Sequence, residues 1–198
     1  MDMLKKLKIP LFPLNAVLFP GGALPLRIFE PRYLDMVSES MKSDTGIGVV
    51  LIADGLEAGA AAKPYEVGTL STISYWHKRS DGMLGITLTG EQRFRILSLE
   101  LMPNQLTIAE VELLAAFNEP EIENNNERQT KLLEQIISQL EPPYTTMTKK
   151  YDSVEWVSAR LIELLPLELQ EKQKLLNMEN VDERINYLQP LLISMEMV

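Results

Sequence analysis

Short apolar runs, repeatedly broken by glycine and proline, fill residues 1–117 and predict a β-rich region. Gly46–Ala53 is a continuous run with β-branched residues, which is typical of a buried strand. Val67–His77 mixes threonine, isoleucine and aromatic residues, and Leu106–Leu114 alternates apolar and polar positions. The Asp-Gly pair in Arg79–Gly82 indicates a hairpin turn. We expect about six strands with short links, a pattern that favours a closed or nearly closed antiparallel barrel.

One helix is expected to interrupt the strands, and it begins at Pro31. Proline suits a first helical position because the N–H that it lacks would have no partner there. Leu34, Val37 and Met41 are three and then four residues apart, so they are predicted to form the apolar stripe of this helix.

The second part of the chain reads as helices, because glycine is absent from Glu127 onward and leucine, glutamate, glutamine and lysine dominate. Four helices are expected, packed on one another or on the barrel. Asp152 and Glu155 have the spacing of a capping box at the start of one helix, and Asn180 is the predicted cap of the last.

An acidic, polar stretch, Asn118–Arg128, separates the two kinds of pattern and reads as a linker or exposed connection. The predicted organisation is a β-rich domain over residues 1–117 and a helical part over residues 118–198. The fold class is therefore α+β.

The amino-acid composition excludes several classes of function. The 198 residues contain no cysteine, which excludes disulfides, thiolate nucleophiles and cysteine zinc sites. The single histidine, His77, has no partner spacing for a catalytic triad or a metal site, so no catalytic residue, metal or cofactor is expected.

The net charge of −9 repels phosphate backbones and anionic lipid. Prolines interrupt the early apolar run and no stretch nears the roughly 18 residues of a membrane span, so a cytoplasmic protein is expected.

Several blocks of the sequence resemble the amino-terminal, substrate-recognition domain of the ATP-dependent Lon protease. The first is IPLFPLNAVLFPGGALPLRIFEPRYLDMV, Ile9–Val37, and its LPLRIFEPRYLDM part is most similar to short, stand-alone bacterial members and to the related domain of cereblon. The similarity continues in order through GIGVV, YEVGTLSTI and GEQRFRI. It ends in ELLPLELQEKQKLLNMENVDERINYLQPLL, Glu163–Leu192.

This resemblance implies a PUA-like β pseudo-barrel with one inserted helix, followed by a helical bundle. It would make Phe12, Leu18, Phe19, Leu26 and Ile28 core residues. Full Lon also needs an ATPase and a protease module, and the sequence contains no G-x-x-x-x-G-K-[ST] phosphate loop. The resemblance therefore implies recognition and neither ATP hydrolysis nor peptide cleavage, so the chain is not expected to be an enzyme.

The polar residues of the first block, Arg27, Glu30, Arg32 and Tyr33, have two interpretations. They could form a rim that binds a peptide or protein partner. They could instead form a buried or half-buried ion pair that docks the helix onto the barrel, which the sequence favours.

Two further pairs are candidates for partner binding. Tyr75 and Trp76 are adjacent on a strand, so at most one of them faces the core, and the other could anchor a peptide or stack on a ligand. Arg93 and Arg95 share a strand face opposite Phe94, and they could contact RNA or form a solvated face.

We therefore expect a non-catalytic module that recognises unfolded or partner protein segments, as an adaptor, a holding factor or a regulator in protein quality control. It would bury an apolar segment in a groove between barrel and helices, or accept an added strand at a barrel edge. The alternative is a PUA-like RNA-binding module. The apolar end of the chain, Leu188–Val198, could pack on the helices or contact a second copy, which would give a homo-oligomer.

Overall fold

The computed structural model describes residues 6–117 and 127–194, and the chain divides into two compact units, Met1–Ala115 and Ala116–Val198. Most of the predicted acidic connection and the last four residues of the chain, with Met195 and Met197, lie outside the described residues. The strands are β1 Lys6–Leu14, β2 Ala23–Ile28, β3 Ile47–Asp54, β4 Lys63–Pro64, β5 Val67–Lys78, β6 Leu84–Leu101 and β7 Thr107–Leu113. The helices are α1 Pro31–Ser43, α2 Glu127–Ser138, α3 Val154–Leu164, α4 Leu169–Asn177 and α5 Val181–Ser194.

Five strands of the first unit form a closed ring. They pair in the order β1, β7, β6, β5 and β3, and β3 pairs in turn with β1. The predicted closure is confirmed, but the β1–β3 pair is parallel, so the expectation of a wholly antiparallel barrel is wrong for this pair. Parallel strands cannot be joined by a tight hairpin, and here β2 and α1 lie between β1 and β3 along the chain.

Phe94 lies at the centre of the apolar cluster that fills this ring. Its side chain is fully buried, and it points to the face opposite Arg93 and Arg95 as the strand alternation predicts. A Cβ on Gly48 would lie 2.9 Å from the Phe94 ring, and one on Gly68 would lie 2.8 Å from it. The two glycines therefore leave the space that the ring occupies. The cluster consists of Ile9, Leu11, Val50, Phe94, Ala109, Val111 and Leu113.

A second core lies between the outside of the ring and α1, and here the sequence misassigned the helix face. Val37 is buried, but Leu34 and Met41 are exposed, so the predicted stripe is wrong at those two positions. The buried face includes Ser40, whose hydroxyl donates to the Thr45 carbonyl over 2.5 Å and so has a partner away from water. The cluster consists of Phe12, Leu14, Leu18, Ile28, Tyr33, Met36, Val37, Ile47, Val49, Ile86 and Leu88.

The proline- and glycine-rich block between β1 and α1 supplies this core. Phe12, Leu18, Phe19 and Ile28 are buried as predicted, and Leu26 is half-buried against the same cluster. The turn before β2 uses Gly21 at a φ of 73°, a conformation that residues with a Cβ resist.

The second unit contains the four predicted helices, and α3 packs against α2, α4 and α5. Asn180 caps α5 as predicted, since its Oδ1 accepts the Asp182 N–H over 2.7 Å. The predicted cap of α3 is wrong by one residue, because Ser153 and not Asp152 accepts the Trp156 N–H, over 3.2 Å. Asp and Ser are both good caps, and only the entry angle of the chain decides between neighbours. The core of this unit includes Leu133, Ile137, Trp156, Val157, Ala159, Leu161, Ile162, Leu165, Leu175, Leu176, Val181, Ile185, Leu188 and Leu192.

Candidate recognition surface

Exposed apolar side chains are concentrated in the first unit. Among the described residues, the large apolar side chains that are exposed all belong to this unit except Ile193. Two groups lie towards the ends of hairpins, where the ring no longer covers them. The β5–β6 hairpin carries Tyr75, Trp76 and Met83, and the β6–β7 hairpin carries Leu97, Leu99, Leu101 and Met102.

The first of these hairpins belongs to a small sheet that we call the arm, made of residues 23–28 of β2, 84–89 of β6 and 72–78 of β5. The central strand, β6, pairs with β2 on one side and with β5 on the other. Both outer strands pair with the same stretch of β6, so residues 50 positions apart in the sequence lie on one small sheet.

The register of the arm places its side chains on two faces. Arg27, Gly85 and His77 lie in one row across the three strands, so Arg27 and His77 share a face. Tyr75 is on this face as well, and Trp76 points to the opposite one. Tyr75 is 60% exposed and Trp76 is 56% exposed, so neither is a core residue.

The outer edge of β5 is open along the arm. β5 pairs with β3 only through Thr69, Leu70 and Ser71. From Thr72 to Lys78, no strand in the described part of the chain lies on the side away from β6. This edge presents backbone N–H and C=O groups, as strand addition requires. The exposed side chains of Tyr75 and Trp76 project from its two faces.

Positive charge gathers where the arm turns. Arg27 from β2 and Arg79 from the turn both contact Asp81, at 3.7 Å and 3.2 Å. The pKa of the Asp81 carboxyl lies below its usual value, chiefly because the Met83 N–H donates to it and also because of the Arg79 guanidinium. Lys78 stands beside them and is exposed.

Glu30, Arg32 and Tyr33 form a different kind of cluster, at the start of α1. Arg32 Nη2 is 3.0 Å from Glu30 Oε2, and Arg32 Nη1 donates to the Gln105 carbonyl over 2.9 Å. The guanidinium lies 4.6 Å from the centre of the Tyr33 ring, which packs in turn on Phe12. Burial raises the pKa of Tyr33, opposed by Arg32 and reinforced by Glu30.

This cluster ties α1 to the loop between β6 and β7. Only 5% of the Arg32 side chain and 17% of the Glu30 side chain are exposed, and Tyr33 is buried. The structure thus brings these three residues together away from the surface. Arg27 lies apart from them, on the arm.

Arg93 and Arg95 lie on the ring part of β6, opposite Thr69 and Val67 of β5. Arg93 is 4% exposed and Arg95 is half-buried. The alternative of a solvated arginine face is therefore wrong for Arg93, because the ring strand is covered at this position.

The sequence did not identify His77, Lys78 and Arg79 as candidate residues for partner binding. The sequence pattern indicates only that His77 lacks the partners of a catalytic or metal site and that Arg79 begins a turn. The signal in the sequence was the run of cations and aromatic residues before the Asp-Gly turn. These residues form one surface with Arg27 only because β2 pairs with β6, and no local pattern in the sequence indicates that pairing.

Other concave or polar features are less suited to recognition of a protein segment. A cleft of about 410 Å³ in the second unit is lined mainly by polar and charged residues of α2 and of the segment before α3, among them Glu134, Tyr151 and Asp152. Among the described residues no His, Cys, Asp and Glu side chains group as a metal site would require. In the same part of the chain, no helix combines the length and apolar character that crossing a membrane requires.

Comparison with known proteins gives one consistent family. Residues 8–194 match the model of the ATP-dependent protease La (LON) substrate-binding domain. The crystal structure of a Lon N-terminal domain protein from Xanthomonas campestris is 31% identical, with a TM-score of 0.75, and the match covers 93% of this chain and 98% of that one. The N-terminal domain of Lon protease from the Mycobacterium avium complex has a TM-score of 0.58 at 16% identity, over 91% of this chain and 95% of that one, which shows a shared fold.

Full-length Lon proteases match over the same region. That of Buchnera aphidicola subsp. Schizaphis graminum is 26% identical over 201 residues, and that of Escherichia coli K12 is 26% identical over 202 residues. These matches cover 95% and 96% of the chain. The chain spans about a quarter of the length of these relatives, 25% in both cases.

Proposed function

Because the chain belongs to the family of ATP-dependent protease La (Lon) substrate-binding domains, we propose that it recognises extended segments of other proteins and does not cut them. The observation that carries the proposal is the open edge of β5, which includes the exposed residues Tyr75 and Trp76. A segment that adds to this edge as a strand would bind through its backbone and would therefore be accepted in many sequences. Such tolerance suits a module that meets unfolded protein.

The two aromatic side chains would supply the side-chain contacts. They point to opposite faces of β5, so they would flank an added strand from both sides. Each combines a large apolar ring with a polar group that stays hydrated at a partly exposed site. Through this mechanism the chain would act as an adaptor or regulator in protein quality control, a role that the match to a substrate-binding family model supports.

Binding of short labelled peptides, measured by fluorescence anisotropy, tests the proposal. Unstructured peptides as long as the open edge, with alternating apolar residues, should bind the full chain. Tyr75→Ala and Trp76→Ala should each weaken binding by roughly two- to tenfold. Leu99→Ala is the matched control, because it removes an exposed apolar side chain from the other hairpin.

Peptides that are N-methylated at successive residues, and so lose the donors of both edges, separate strand addition from simple apolar contact. They keep the side chains and lose the backbone donors, so they should lose binding. Equal binding of methylated and unmethylated peptides, or loss of binding only in the Leu99 variant, would contradict the proposed site.

Recognition of RNA remains the second candidate, and one observation favours it: the arm combines exposed aromatic rings with Arg27, Lys78 and Arg79. A single-stranded oligonucleotide in the same assay measures it. The net charge of −9 weighs against this function.

A further inference from the structure

The outer half of the arm is positively charged although the chain as a whole is acidic. Residues 23–28 and 72–89 contain three cationic residues, Arg27, Lys78 and Arg79, and one carboxylate, Asp81. The nearest acidic residue along β6 is Glu91, at the ring end of the arm, where it accepts a hydrogen bond from the Thr72 hydroxyl over 2.8 Å. In a chain of net charge −9 this local excess of positive charge needs an explanation.

Internal pairing does not use up this charge. Arg27 and Arg79 share Asp81, and each of them contacts it through one nitrogen. A guanidinium carries five N–H donors, so both side chains keep donors for a second carboxylate. The side chain of Arg79 is 40% exposed, and Lys78 is also exposed, so both can reach a molecule at the arm.

The positions of Lys78 and Arg79 connect the charge to the open edge. Lys78 is the last residue of β5 and Arg79 follows it, so they stand at the end of the edge where a bound strand would run past the turn. Carboxylates at that end of a bound segment would pair with them, and guanidinium is well shaped for such pairing.

The charge of the whole molecule favours a protein segment over a nucleic acid as the occupant. A strand of nucleic acid carries a phosphate at every residue, and each would feel the repulsion of the acidic surface. A peptide can carry one or two carboxylates at its end and no charge elsewhere. Its local pairing with Lys78 and Arg79 is little affected by the distant charges, which salt screens.

On the basis of the function proposed above, we propose that the arm selects protein segments that carry acidic residues at the end next to Lys78 and Arg79. The acidic residues add to the backbone contacts of the open edge. They also define the direction and register of the bound segment, because only one placement brings the carboxylates to the cations.

Three peptides of one backbone sequence test the selection, with two glutamates, two glutamines or two lysines at one end. Both ends are tried, since the direction of the added strand is part of the measurement. Fluorescence anisotropy with the full chain should show the glutamate peptide binding about three- to tenfold more tightly than the glutamine peptide, and the lysine peptide more weakly than both. The preference should shrink as salt is added.

Variants locate the effect. Lys78→Gln with Arg79→Gln should abolish the preference for glutamate, so that the glutamate and glutamine peptides bind with equal affinity. Lys42→Gln with Lys63→Gln changes the net charge by the same amount at two other exposed positions of the first unit, and it should keep the preference.

The outcomes distinguish the two proposals from each other. Equal affinity for glutamate and glutamine peptides, or a preference that survives the Lys78 and Arg79 changes, overturns the acidic selection and leaves strand recognition intact. Failure of all three peptides to bind overturns both proposals. A single-stranded oligonucleotide that displaces the glutamate peptide and binds more tightly would identify the arm as a nucleic-acid site instead.

Discussion

The imidazole of His77 lies across Gly85 of the neighbouring strand, on the face of the arm that also carries Tyr75. A Cβ on Gly85 would come within 2.8 Å of His77 Nε2. The His77 ring stacks on Tyr75 with 5.4 Å between the ring centres. An aromatic ring of this kind covers a glycine in a thin sheet and orders the side chains around it. The position of Tyr75 on the arm therefore depends on the absence of a side chain at Gly85.

We predict that Gly85→Ala displaces the His77 ring and releases Tyr75. The new methyl group meets only the ring of an exposed side chain, which can move, so the free energy of unfolding should change by less than about 1 kcal/mol. Proton NMR should show the loss of contacts between the Tyr75 and His77 rings.

Gly68→Ala is the control for this change. There a Cβ would lie 2.5 Å from the Val49 carbonyl oxygen and 2.8 Å from the Phe94 ring. The backbone of a closed ring cannot shift to relieve these contacts. It should lower stability in urea by roughly 1–3 kcal/mol. Similar losses for the two alanine variants would contradict this account of the glycines.

Loss of one partner of the Glu30–Arg32 ion pair should strongly lower the stability of the protein. Arg32→Gln leaves the Glu30 carboxylate largely buried without its cation, and loss of one partner from a buried pair costs roughly 3–5 kcal/mol. The expected loss is at the lower end of that range, since Glu30 keeps some contact with water. Urea unfolding followed by circular dichroism measures it.

Two further variants show whether pairing is the cause. Glu30→Gln with Arg32→Gln should be more stable than the sum of the single losses predicts, because it leaves no unpaired charge. Arg27→Gln removes an exposed arginine from Asp81 and should change stability by no more than about 0.5 kcal/mol. Additive losses in the double variant would argue against the pair.

Tyr33 should make the first unit sensitive to alkali. Burial raises the pKa of its hydroxyl above the ordinary value of 10.0. The folded state thus keeps the proton that the unfolded state loses, so this stabilisation is present below pH 10 and is lost as the pH rises through the folded pKa. The difference in tyrosinate absorbance between the wild type and Tyr33→Phe should show a group that titrates above pH 10. A titration at or below that pH would show that Tyr33 is not shielded from water.

The start of α3 offers a test of a one-residue choice. Ser153→Ala removes the side chain that accepts the Trp156 N–H and should cost about 1 kcal/mol, whereas Asp152→Ala should cost much less. Thermal melting followed by the helical circular dichroism signal compares the two variants. A larger loss of stability in the Asp152 variant would show that Asp152 caps α3, as the sequence pattern predicts.

The errors of the sequence-based predictions share a physical origin. The helix from Pro31 was predicted correctly, yet its buried face was not, because a serine with a hydrogen-bond partner can replace an apolar residue at Ser40. Arg93 and Phe94 were correctly assigned to opposite strand faces. That the arginine face is also covered depends on what surrounds it, which strand alternation alone does not indicate.

The candidate site was less predictable than the fold. Tyr75 and Trp76 were identified because adjacent strand residues cannot both face one core. Their joint exposure follows from β5 extending past its last pair with β3 at Ser71, which is a property of strand length and register. The same register places Arg27 and His77 on either side of Gly85, and no residue between them in the chain indicates this.

From the sequence alone one could determine which part of the chain forms strands and which forms helices, the turn at Arg79–Gly82, and which family the chain resembles. These features depend on residues close together in the chain, on the backbone preferences of proline and glycine and on the period of apolar residues. Only the tertiary structure decided which side chains share a surface. β2 and β5 both pair with one stretch of β6, and pairings between distant segments are selected by the packing of the whole unit rather than by any local pattern.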